Sequence, residues 1–515
     1  MIEGRNLWEL VEARAAATPD ARMAVDEHGR SLTFAQYRDE ATAAAAGFAM
    51  RGVHEGSVVA WQLPTRLESL VLVGALARLG AVQNPILPIY REREVRFCTA
   101  QTRAGLFVIP GLWRGFDFEA MAAAVRDADD GRPQIEICDP ALPSGDPVNL
   151  PAPAEPPTAP EDAPVRWYFY TSGTTAEPKG ARHTDATIMA AARGMIERLD
   201  YGPADANGLA FPFTHIGGIT WLFASLLSGG SNILMEAFDP VHTPAVFRRE
   251  GVTLAGSGTS FHMAYLTAQR ADPNEALFPE VKNFPGGGAP KPPQLHHDIK
   301  AELGGAGILS GYGLTECPIL TMSSAADGDE ALANTEGKAM PGVELKLVTF
   351  EGEQAGTGVE GEVRAKAPQL MKGYIDESLD REAFDEDGFF RTGDLGRLDD
   401  AGNLIITGRL KDIIIRHGEN ISAKEVEDLL YTHPRVGDVA VLGLPDPRTG
   451  ERACAVVALK DPEASLSLDE VRTFLAAEGL RTQAIPEQLE VVAAVPRNPT
   501  GKILKHELRE QYARD

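Results

Sequence analysis

The segment from Tyr170 to Gly180 reads YTSGTTAEPKG and places small hydroxyl residues and glycine a few positions before a lysine. Backbone N–H groups, hydroxyls and the Lys179 ammonium could together surround a polyphosphate. The segment is not a Walker A loop, because Pro178 stands where that motif needs glycine. Taken alone, the same pattern also fits a polar surface loop, so its interpretation depends on what accompanies it.

Three further residues have the chemistry of a nucleotide site. Glu316 ends the run GYGLTE, and a carboxylate oxygen suits a hard cation that bridges phosphates. Asp394 lies in RTGDLG, where one carboxylate offers two oxygens to a vicinal diol. Lys502 lies in the turn PTGK, from which its long side chain could reach another part of the molecule. Each residue alone also has an ordinary structural explanation.

Considered together, these runs resemble the adenylate-forming superfamily of acyl-CoA synthetases, nonribosomal adenylation domains and luciferases. The matching runs, in the family's order, are YTSGTTAEPKG (170–180), GGGAP (286–290), GYGLTE (311–316), RTGDLG (391–396), GRLKD (408–412) and PTGK (499–502). One departure is Ala176, which stands where the family usually has glycine, so the loop is less free to adopt positive φ. The resemblance extends more weakly over the whole chain.

The resemblance implies an ATP site. Its expected contacts are Thr171, Ser172, Gly173, Thr174, Thr175 and Lys179 at the phosphates, Gly288, Ala289 and Pro290 against adenine, Gly311, Tyr312 and Gly313 beside the nucleotide, and Asp394 and Arg409 at the ribose. Glu316 is expected to bind Mg²⁺, and Thr315 is expected to touch a phosphate. Lys502 is expected to be the catalytic cation between the acid's carboxylate and the α-phosphate.

The resemblance also implies an acyl pocket, a hinge and a thiol path. His215, in PFTHIGG, matches a family position near the acyl and thiol pocket, with a core histidine as the alternative. Gly287 and Gly313 are expected to line the acyl pocket. Acetate-specific members carry tryptophan at the position of Gly313, so glycine predicts room for a larger acid, unless the turn simply needs its backbone freedom. Lys411 is the expected hinge, and Gly418 the residue that approaches the thiol.

The elements that must position these residues alternate between strand and helix. Apolar residues recur at helical spacing over 34–48, an apolar run covers 58–63, and a second helical stretch covers 68–79. Residues 140–164 are rich in proline and indicate a surface connector. Residues 165–170 predict the strand that leads into the phosphate loop.

The C-terminal part has a different pattern. Short β-rich segments are expected between residues 337 and 408, and capping boxes from Ser422 and from Ser467 predict two helices between apolar strands. The whole order predicts an α/β fold: a large N-terminal α/β domain of several subdomains, one of them β-rich, and a small mobile α+β C-terminal domain. We expect the large domain to cover residues 1–408, the hinge 409–413 and the small domain 414–515.

Composition limits the partners and the surroundings. The net charge of −25 disfavours nucleic acid and anionic membranes as partners. The cysteines have no metal-ligand spacing and suit a reducing, cytoplasmic compartment; they are Cys98, Cys138, Cys317 and Cys454. His296 and His297 form no zinc pattern and are expected on the surface of a helix. No stretch of the sequence predicts a secretion signal or a membrane span.

The predicted function is an ATP-dependent acid:CoA ligase that uses Mg²⁺, ATP and CoA. The acid is expected to be larger than acetate: medium-chain, alicyclic, aromatic or steroid-derived. The run DIIIRHGENI (412–421) resembles acyl-CoA and aryl-CoA ligases, and the chain ends soon after Lys502, so free CoA is favoured over a carrier protein. The alternatives are an enzyme that loads a separate carrier protein, a luciferase-like oxygenase, and a non-catalytic nucleotide-binding regulator. The oligomeric state is left open, a homodimer included.

Overall fold

The protein is described by a computed structural model over residues 1–139, 141–171, 178–288, 291–416, 419–498 and 501–513. The helices are α1 (Leu7–Ala17), α2 (Phe34–Met50), α3 (Leu67–Arg78), α4 (Glu92–Thr102), α5 (Phe118–Asp127), α6 (Asp185–Leu199), α7 (Ile216–Ser228), α8 (His242–Arg249), α9 (Thr259–Ala271), α10 (Pro293–Leu303), α11 (Asp329–Asn334), α12 (Asp380–Ala383), α13 (Ala423–Tyr431), α14 (Leu468–Ala477) and α15 (Lys505–Tyr512). The strands are β1 (Arg22–Asp26), β2 (Ser31–Thr33), β3 (Val58–Trp61), β4 (Val82–Pro85), β5 (Leu106–Ile109), β6 (Leu112–Trp113), β7 (Phe116–Asp117), β8 (Gln134–Ile137), β9 (Val165–Thr171), β10 (Lys179–Thr184), β11 (Ala206–Leu209), β12 (Ser231–Leu234), β13 (Phe284–Gly287), β14 (Ile308–Tyr312), β15 (Thr321–Met322), β16 (Lys338–Ala339), β17 (Glu344–Val348), β18 (Gly361–Lys366), β19 (Phe390–Leu398), β20 (Leu404–Arg409), β21 (Ile413–Arg416), β22 (Glu419–Ser422), β23 (Val436–Asp446), β24 (Gly450–Leu459) and β25 (Gln488–Val492).

Two largely parallel sheets form the first half of the molecule. One has the order β10-β9-β4-β3-β5-β8, with β10 antiparallel at its edge, and the other has the order β11-β12-β1-β2. Helices α1, α2, α3, α6 and α7 supply buried side chains to one apolar core shared with these sheets. This parallel arrangement explains the alternation of strand and helix in the sequence, because parallel strands need helical crossovers, which cover the faces of the sheet.

Local sequence signals in this half are confirmed by the structure. The helix expected over 34–48 is α2, and a complete capping box between Thr33 and Gln36 fixes its start. The apolar run over 58–63 forms β3, and the helix expected over 68–79 is α3. The strand expected over 165–170 is β9.

The β-rich segment predicted between residues 337 and 408 is also confirmed. Strands β17, β18, β19 and β20 form an antiparallel sheet in that order, and β16 joins the sheet β13-β14-β15-β16. Strand β14 ends at Tyr312, β19 carries Asp394, and β20 ends at Arg409. These two sheets therefore position most of the residues expected at the nucleoside.

The last hundred residues form a small α+β unit with its own core. Strands β21 to β25 make one sheet, and buried Ile414, Val426, Val439, Val457 and Leu475 pack together against it. The predicted fold class, a large α/β part followed by a smaller α+β part, is confirmed. The domain boundaries and the mobility of the small unit stay predictions.

The two predicted capping boxes of the small unit differ. At Ser467 the box is complete, because its hydroxyl accepts from the N–H of Glu470 and the Glu470 carboxylate accepts from the N–H of Ser467. Ser422 also accepts from the N–H of Glu425, but its hydroxyl donates to the Thr407 carbonyl oxygen at 2.7 Å. Ser422 therefore links the first helix of the small unit to strand β20.

Two further expectations concern surface segments. Residues 141–164 form the exposed connector that was predicted, with short 3₁₀ turns at Pro147–Asn149 and Pro160–Asp162; Pro140 lies outside the described residues. The surface assignment of His296 is wrong: its ring is fully buried on α10 and Nδ1 accepts from the Ile308 N–H at 3.1 Å, whereas His297 is exposed.

Among the described residues, no helix is long and apolar enough to cross a membrane.

Candidate active site

The phosphate side of the site begins where β9 and β10 pair antiparallel. Thr171 is the last residue of β9 and lies opposite Lys179, the first residue of β10. The Lys179 ammonium lies 5.4 Å from the centre of the Tyr374 ring, a cation–π distance. Ser172, Gly173, Thr174 and Thr175, which the sequence assigns to the phosphates, lie outside the described residues.

Glu316 is buried and oriented by a tyrosine that the motifs did not indicate. The Tyr374 hydroxyl donates to Glu316 Oε1 at 2.8 Å, and the Met371 N–H donates to the Glu316 carbonyl oxygen at 2.8 Å. Thr315, the residue before it, is partly buried. Among the described residues no three His, Cys, Asp or Glu side chains are grouped to hold a metal ion. A single fixed carboxylate fits Mg²⁺ that takes its other oxygens from phosphates and water.

The residues that the sequence assigns to the ribose form a charged cluster between β14, β19 and β20. Asp394 is almost fully buried; its Oδ1 lies 2.7 Å from Arg409 Nε, and its Oδ2 accepts from the Tyr312 hydroxyl at 2.7 Å. Asp394 and Arg409 are direct partners in the β19–β20 ladder, which fixes their separation. Burial and the Asp394 charge raise the pKa of the Tyr312 phenol, so this hydroxyl stays a donor. Each carboxylate oxygen keeps a second lone pair for a ribose hydroxyl.

The glycines of the adenine and acyl region have two different roles. Gly288 has a φ of +76° and open space where a side chain would stand, which leaves room for the base that the sequence predicts there. A Cβ on Gly287 would lie 2.6 Å from the Gly311 carbonyl oxygen, because β13 and β14 approach closely there. Ala289 and Pro290 lie outside the described residues.

Gly313 does not leave a space beside it. A Cβ on this residue would lie 2.2 Å from the Ile319 amide nitrogen and 3.0 Å from the Cys317 carbonyl oxygen. The position that a side chain would enter is therefore filled by backbone. This close approach favours the structural explanation of Gly313 and removes the argument that its hydrogen opens the acyl pocket.

His215 is the N-cap residue of α7 and shares a cavity with Thr315. Its Nδ1 accepts from the Gly217 N–H at 3.1 Å, and burial lowers the pKa of the ring to about 4, so the neutral imidazole carries its proton on Nε2. The cavity is mostly apolar, and its lining includes Ile86, Leu87, Phe169, Tyr170 and Ile216. His215 therefore lines the same cavity as Thr315 and is partly buried, and its role beside the acyl group stays a prediction.

Lys502 reaches this cluster from the small unit. Its backbone N–H donates to Asn498 Oδ1 at 2.9 Å, which fixes the turn, and a Cβ on Gly501 would lie 2.8 Å from the Ser260 hydroxyl oxygen on α9. The pKa of Lys502 is lowered to about 8: burial is the largest cause and the Arg409 charge adds to it, while the carboxylates of Asp394, Asp412 and Glu316 oppose the shift. The approach of Gly501 to Ser260 brings this turn against the large part, and the charges of Arg409, Asp394 and Glu316 act on the Lys502 ammonium.

The connection between the two parts is short. Lys411 is exposed in the 3₁₀ turn Leu410–Asp412 between β20 and β21. The carboxylate that follows it is tied to the small unit, since Arg509 donates to Asp412 Oδ1 at 2.7 Å. Gly418, the residue assigned to the thiol side, lies outside the described residues.

This fold and this cluster define an adenylate-forming enzyme of the acid–thiol ligase class. The chain belongs to the AMP-binding enzyme family, whose pattern matches residues 11–375, and the pattern of the AMP-binding enzyme C-terminal domain matches residues 425–502.

Known relatives match over nearly the whole chain. The medium-chain fatty-acid–CoA ligase of Escherichia coli is 32% identical over 99% of this chain and 91% of that protein. The salicyl-AMP ligase / salicyl-S-ArCP synthetase of Mycobacterium tuberculosis is 31% identical over 99% of this chain and 91% of that protein. Among solved structures, ATP-bound MatB from Rhodopseudomonas palustris is 27% identical with a TM-score of 0.86, covering 98% of this chain and 99% of that one.

Proposed function

We propose that this protein is an ATP-dependent acid:CoA ligase that works in two steps. In the first step a carboxylate oxygen of the acid attacks the α-phosphorus of ATP, the bond to the β-phosphate oxygen breaks, and pyrophosphate leaves. In the second step the thiol of CoA loses its proton and attacks the acyl carbon, the thioester forms, and AMP leaves. A carboxylate needs this activation because its own oxygen is a poor leaving group.

The observation that carries the proposal is the position of Lys502. The turn that carries Lys502 belongs to the small unit and meets α9 of the large part at Ser260, and the Lys502 ammonium feels the charges of Asp394, Arg409 and Glu316. A cation there would stabilise the charge that develops as the α-phosphate is transferred. A protein that only bound nucleotide would gain little from it, which disfavours the regulator.

The other residues of the site bind and orient. Asp394, held by Tyr312 and Arg409, would accept the ribose hydroxyls, and Lys179 would contact the phosphates. Glu316, held by Tyr374, would bind Mg²⁺, which would neutralise phosphate charge when present. The enzyme's contribution is then mainly the positioning of reactants and the stabilisation of charge.

The acid is proposed to be larger than acetate, with medium-chain, alicyclic, aromatic and steroid-derived acids as candidates. Gly313 no longer supports this proposal. The support is the mostly apolar lining of the cavity beside His215 and Thr315, because each methylene buried against such a lining would contribute about 0.8 kcal/mol to binding. The relatives named for medium-chain fatty acids and for salicylate point in the same direction.

The second candidate is an enzyme that loads the acyl group onto a carrier protein. It is favoured by one specific observation, the 31% identity to a salicyl-AMP ligase / salicyl-S-ArCP synthetase. CoA is preferred because residues 412–421 resemble acyl-CoA and aryl-CoA ligases.

An acid panel tests the proposal in two stages. Pyrophosphate exchange into ATP is measured with acetate, a chain-length series, benzoate, salicylate, an alicyclic acid and a bile acid, and thioester formation is then measured with CoA and with a phosphopantetheinylated carrier protein. We expect acid-dependent exchange that is greatest with an acid larger than propionate, followed by thioester formation with CoA. Exchange without transfer to CoA, but with transfer to the carrier, would favour the second candidate, and no exchange with any acid would contradict both.

A further inference from the structure

The turn that carries Thr315 and Glu316 is held by three hydrogen bonds from distant parts of the chain. His183 Nε2 lies 2.9 Å from the Thr315 carbonyl oxygen. The Met371 N–H donates to the Glu316 carbonyl oxygen at 2.8 Å, and the Tyr374 hydroxyl donates to the Glu316 carboxylate at 2.8 Å. The phosphate and metal residues of this turn therefore depend on partners outside their own motif.

Strand β10 connects these partners to the phosphate lysine. Lys179 is the first residue of β10 and His183 is its fifth. The opposite edge of the same strand pairs with the segment that carries Tyr374, through a bridge to Ala181 and a 3.0 Å bond from the Arg182 N–H to the Gly373 carbonyl oxygen. One strand thus fixes Lys179, the tyrosine that holds Glu316, and the histidine that holds Thr315.

The His183 ring is itself held by contacts at both of its nitrogens and with a neighbouring aromatic ring. It is fully buried, its Nδ1 lies 3.0 Å from the Thr187 hydroxyl oxygen, and its centre lies 6.0 Å from that of Phe169 in an edge-on arrangement. Burial lowers the pKa of His183 to about 4, so the ring is neutral near pH 7. Since a carbonyl oxygen only accepts, the single ring proton must lie on Nε2 and be donated to Thr315.

We propose that His183 is a positioning residue that fixes the Thr315–Glu316 turn relative to Lys179, and so fixes where the metal-bound phosphates lie. It acts through the peptide of Thr315 and touches no substrate. The inference rests on the proposed function, because it assigns a consequence to the Mg²⁺ and phosphate roles of this turn. Neither the phosphate-loop motif nor the GYGLTE motif includes this histidine.

Removing the hydrogen bond from His183 to the Thr315 carbonyl oxygen should shift the Thr315–Glu316 turn without removing either side chain from the site. Leucine at position 183 would leave the Thr315 carbonyl oxygen without its donor, and the turn would have to move to reach another donor. Glu316 is the next residue, so its carboxylate would move with the peptide. The acid pocket, which has other walls, should be affected much less.

The test compares His183→Leu, which fills the space without a donor, with His183→Gln, whose side-chain N–H₂ can reach the position of Nε2. His296→Leu is the matched control, because His296 is also fully buried and bonded to one backbone group, but outside the site. Each protein is measured for the kcat and acid KM of pyrophosphate exchange, the Mg²⁺ concentration at half-maximal rate, and the thermal unfolding midpoint. ATP affinity is measured by calorimetry with and without Mg²⁺, which needs no turnover.

We expect His183→Leu to lower kcat about tenfold to a hundredfold and to raise the half-maximal Mg²⁺ concentration at least about threefold, with the acid KM within about twofold of wild type. We expect His183→Gln to recover most of both losses, and His296→Leu to lower the unfolding midpoint while keeping kcat and the Mg²⁺ response. If His183→Leu fails to fold, His183→Gln is compared with the shorter His183→Asn, which should show the kcat and Mg²⁺ defects.

Two results would overturn the inference. One is a His183→Leu protein that loses thermal stability as His296→Leu does but keeps its kcat and Mg²⁺ response. The other is that His183→Gln and His183→Asn have the same kcat and the same Mg²⁺ response. An inactive wild type would contradict the proposed function instead, and the Mg²⁺ enhancement of ATP affinity would still separate His183→Leu from His296→Leu if the inference holds.

Discussion

The phosphate side of the site and the Lys502 side are built in different ways. On the phosphate side, Glu316 and Thr315 receive bonds from His183, Met371 and Tyr374, all within the large part of the molecule. Lys502 comes from a turn of the small unit, which has its own core and its own sheet.

This difference in construction suits two different tasks, the binding of the nucleotide and the transfer of its α-phosphate. The groups proposed to bind ATP throughout the reaction are fixed by sheets, where their mutual distances cannot change easily. The proposed catalytic cation, Lys502, which would be needed chiefly while the α-phosphate is transferred, comes from a unit that could turn about a short connection. The same site could then lose Lys502 and admit a thiol without disturbing the nucleotide residues.

The largest effect should follow from Lys502→Ala. Because the ammonium acts on charge that is present mainly in the transition state, we expect pyrophosphate exchange to fall by about a hundredfold to a thousandfold. ATP affinity by calorimetry should stay within about threefold of wild type. Lys460→Ala, an exposed lysine of the same unit, is the control and should behave as wild type. Equal losses of ATP affinity and of exchange would show that Lys502 belongs to the binding side after all.

The connection between the two parts should separate the half-reactions. Lys411→Pro would fix φ and remove a donor in the turn Leu410–Asp412, so the rotation of the small unit should be restricted. We expect thioester formation to fall about tenfold to a hundredfold while acyl-adenylate formation falls less than about threefold. Lys411→Ala keeps the backbone freedom and should leave both steps near wild type. Equal losses in the two steps would argue against a hinge at Lys411.

The pH dependence should report the charge of Lys502. Its pKa is lowered to about 8, so the charged form is complete at lower pH and is lost as pH rises through that value. The kcat/KM for ATP in pyrophosphate exchange should therefore decline above about pH 8, by about tenfold per pH unit at its steepest. Lys502→Arg keeps its charge at these pH values, and its profile should lack the decline. A decline of the same size in Lys502→Arg would assign the titration to another group.

Glu316→Gln should act on Mg²⁺ alone. The amide keeps an oxygen for the Tyr374 hydroxyl, so only the charge is removed. We expect the Mg²⁺ concentration at half-maximal rate to rise about fivefold to tenfold. Tyr374→Phe, which keeps the charge but loses the bond, should give a smaller shift. An unchanged Mg²⁺ titration in Glu316→Gln would count against the metal assignment.

The smallest effect concerns Gly313. Because a Cβ there would meet the Ile319 amide at 2.2 Å, Gly313→Ala should lower the free energy of unfolding by about 1–3 kcal/mol without changing acid preference. Gly328→Ala is the control, since nothing lies within 4 Å of its added carbon. A stable Gly313→Ala protein with a preference shifted toward acetate would restore the open-pocket interpretation.

The sequence predicted most of the fold and the residues with obvious chemistry. Lys179, Glu316, Asp394 and Lys502 lie in short runs that together resemble the family's motifs, and helical spacing located α2 and α3. Such local patterns are visible without knowing how strands pair.

What the sequence did not predict depends on pairing between distant segments. Tyr374 meets Glu316 because its segment pairs with β10, and His183 meets Thr315 through the same strand; neither residue has a local signal. The steric role of Gly313 depends on where Ile319 returns along the chain, and the burial of His296 on where β14 begins.

A reversible lock between the two parts tests the central claim most directly. The distance from a Cβ on Gly501 to the Cβ of Ser260 is 3.9 Å, within the range that a disulfide spans. In the double variant Ser260→Cys/Gly501→Cys, oxidation should hold Lys502 at the nucleotide residues. We predict that the oxidised protein forms acyl-adenylate but almost no thioester, and that reduction restores the second step. An oxidised protein, shown by mass to be fully cross-linked, that makes thioester as fast as the reduced one would contradict the account.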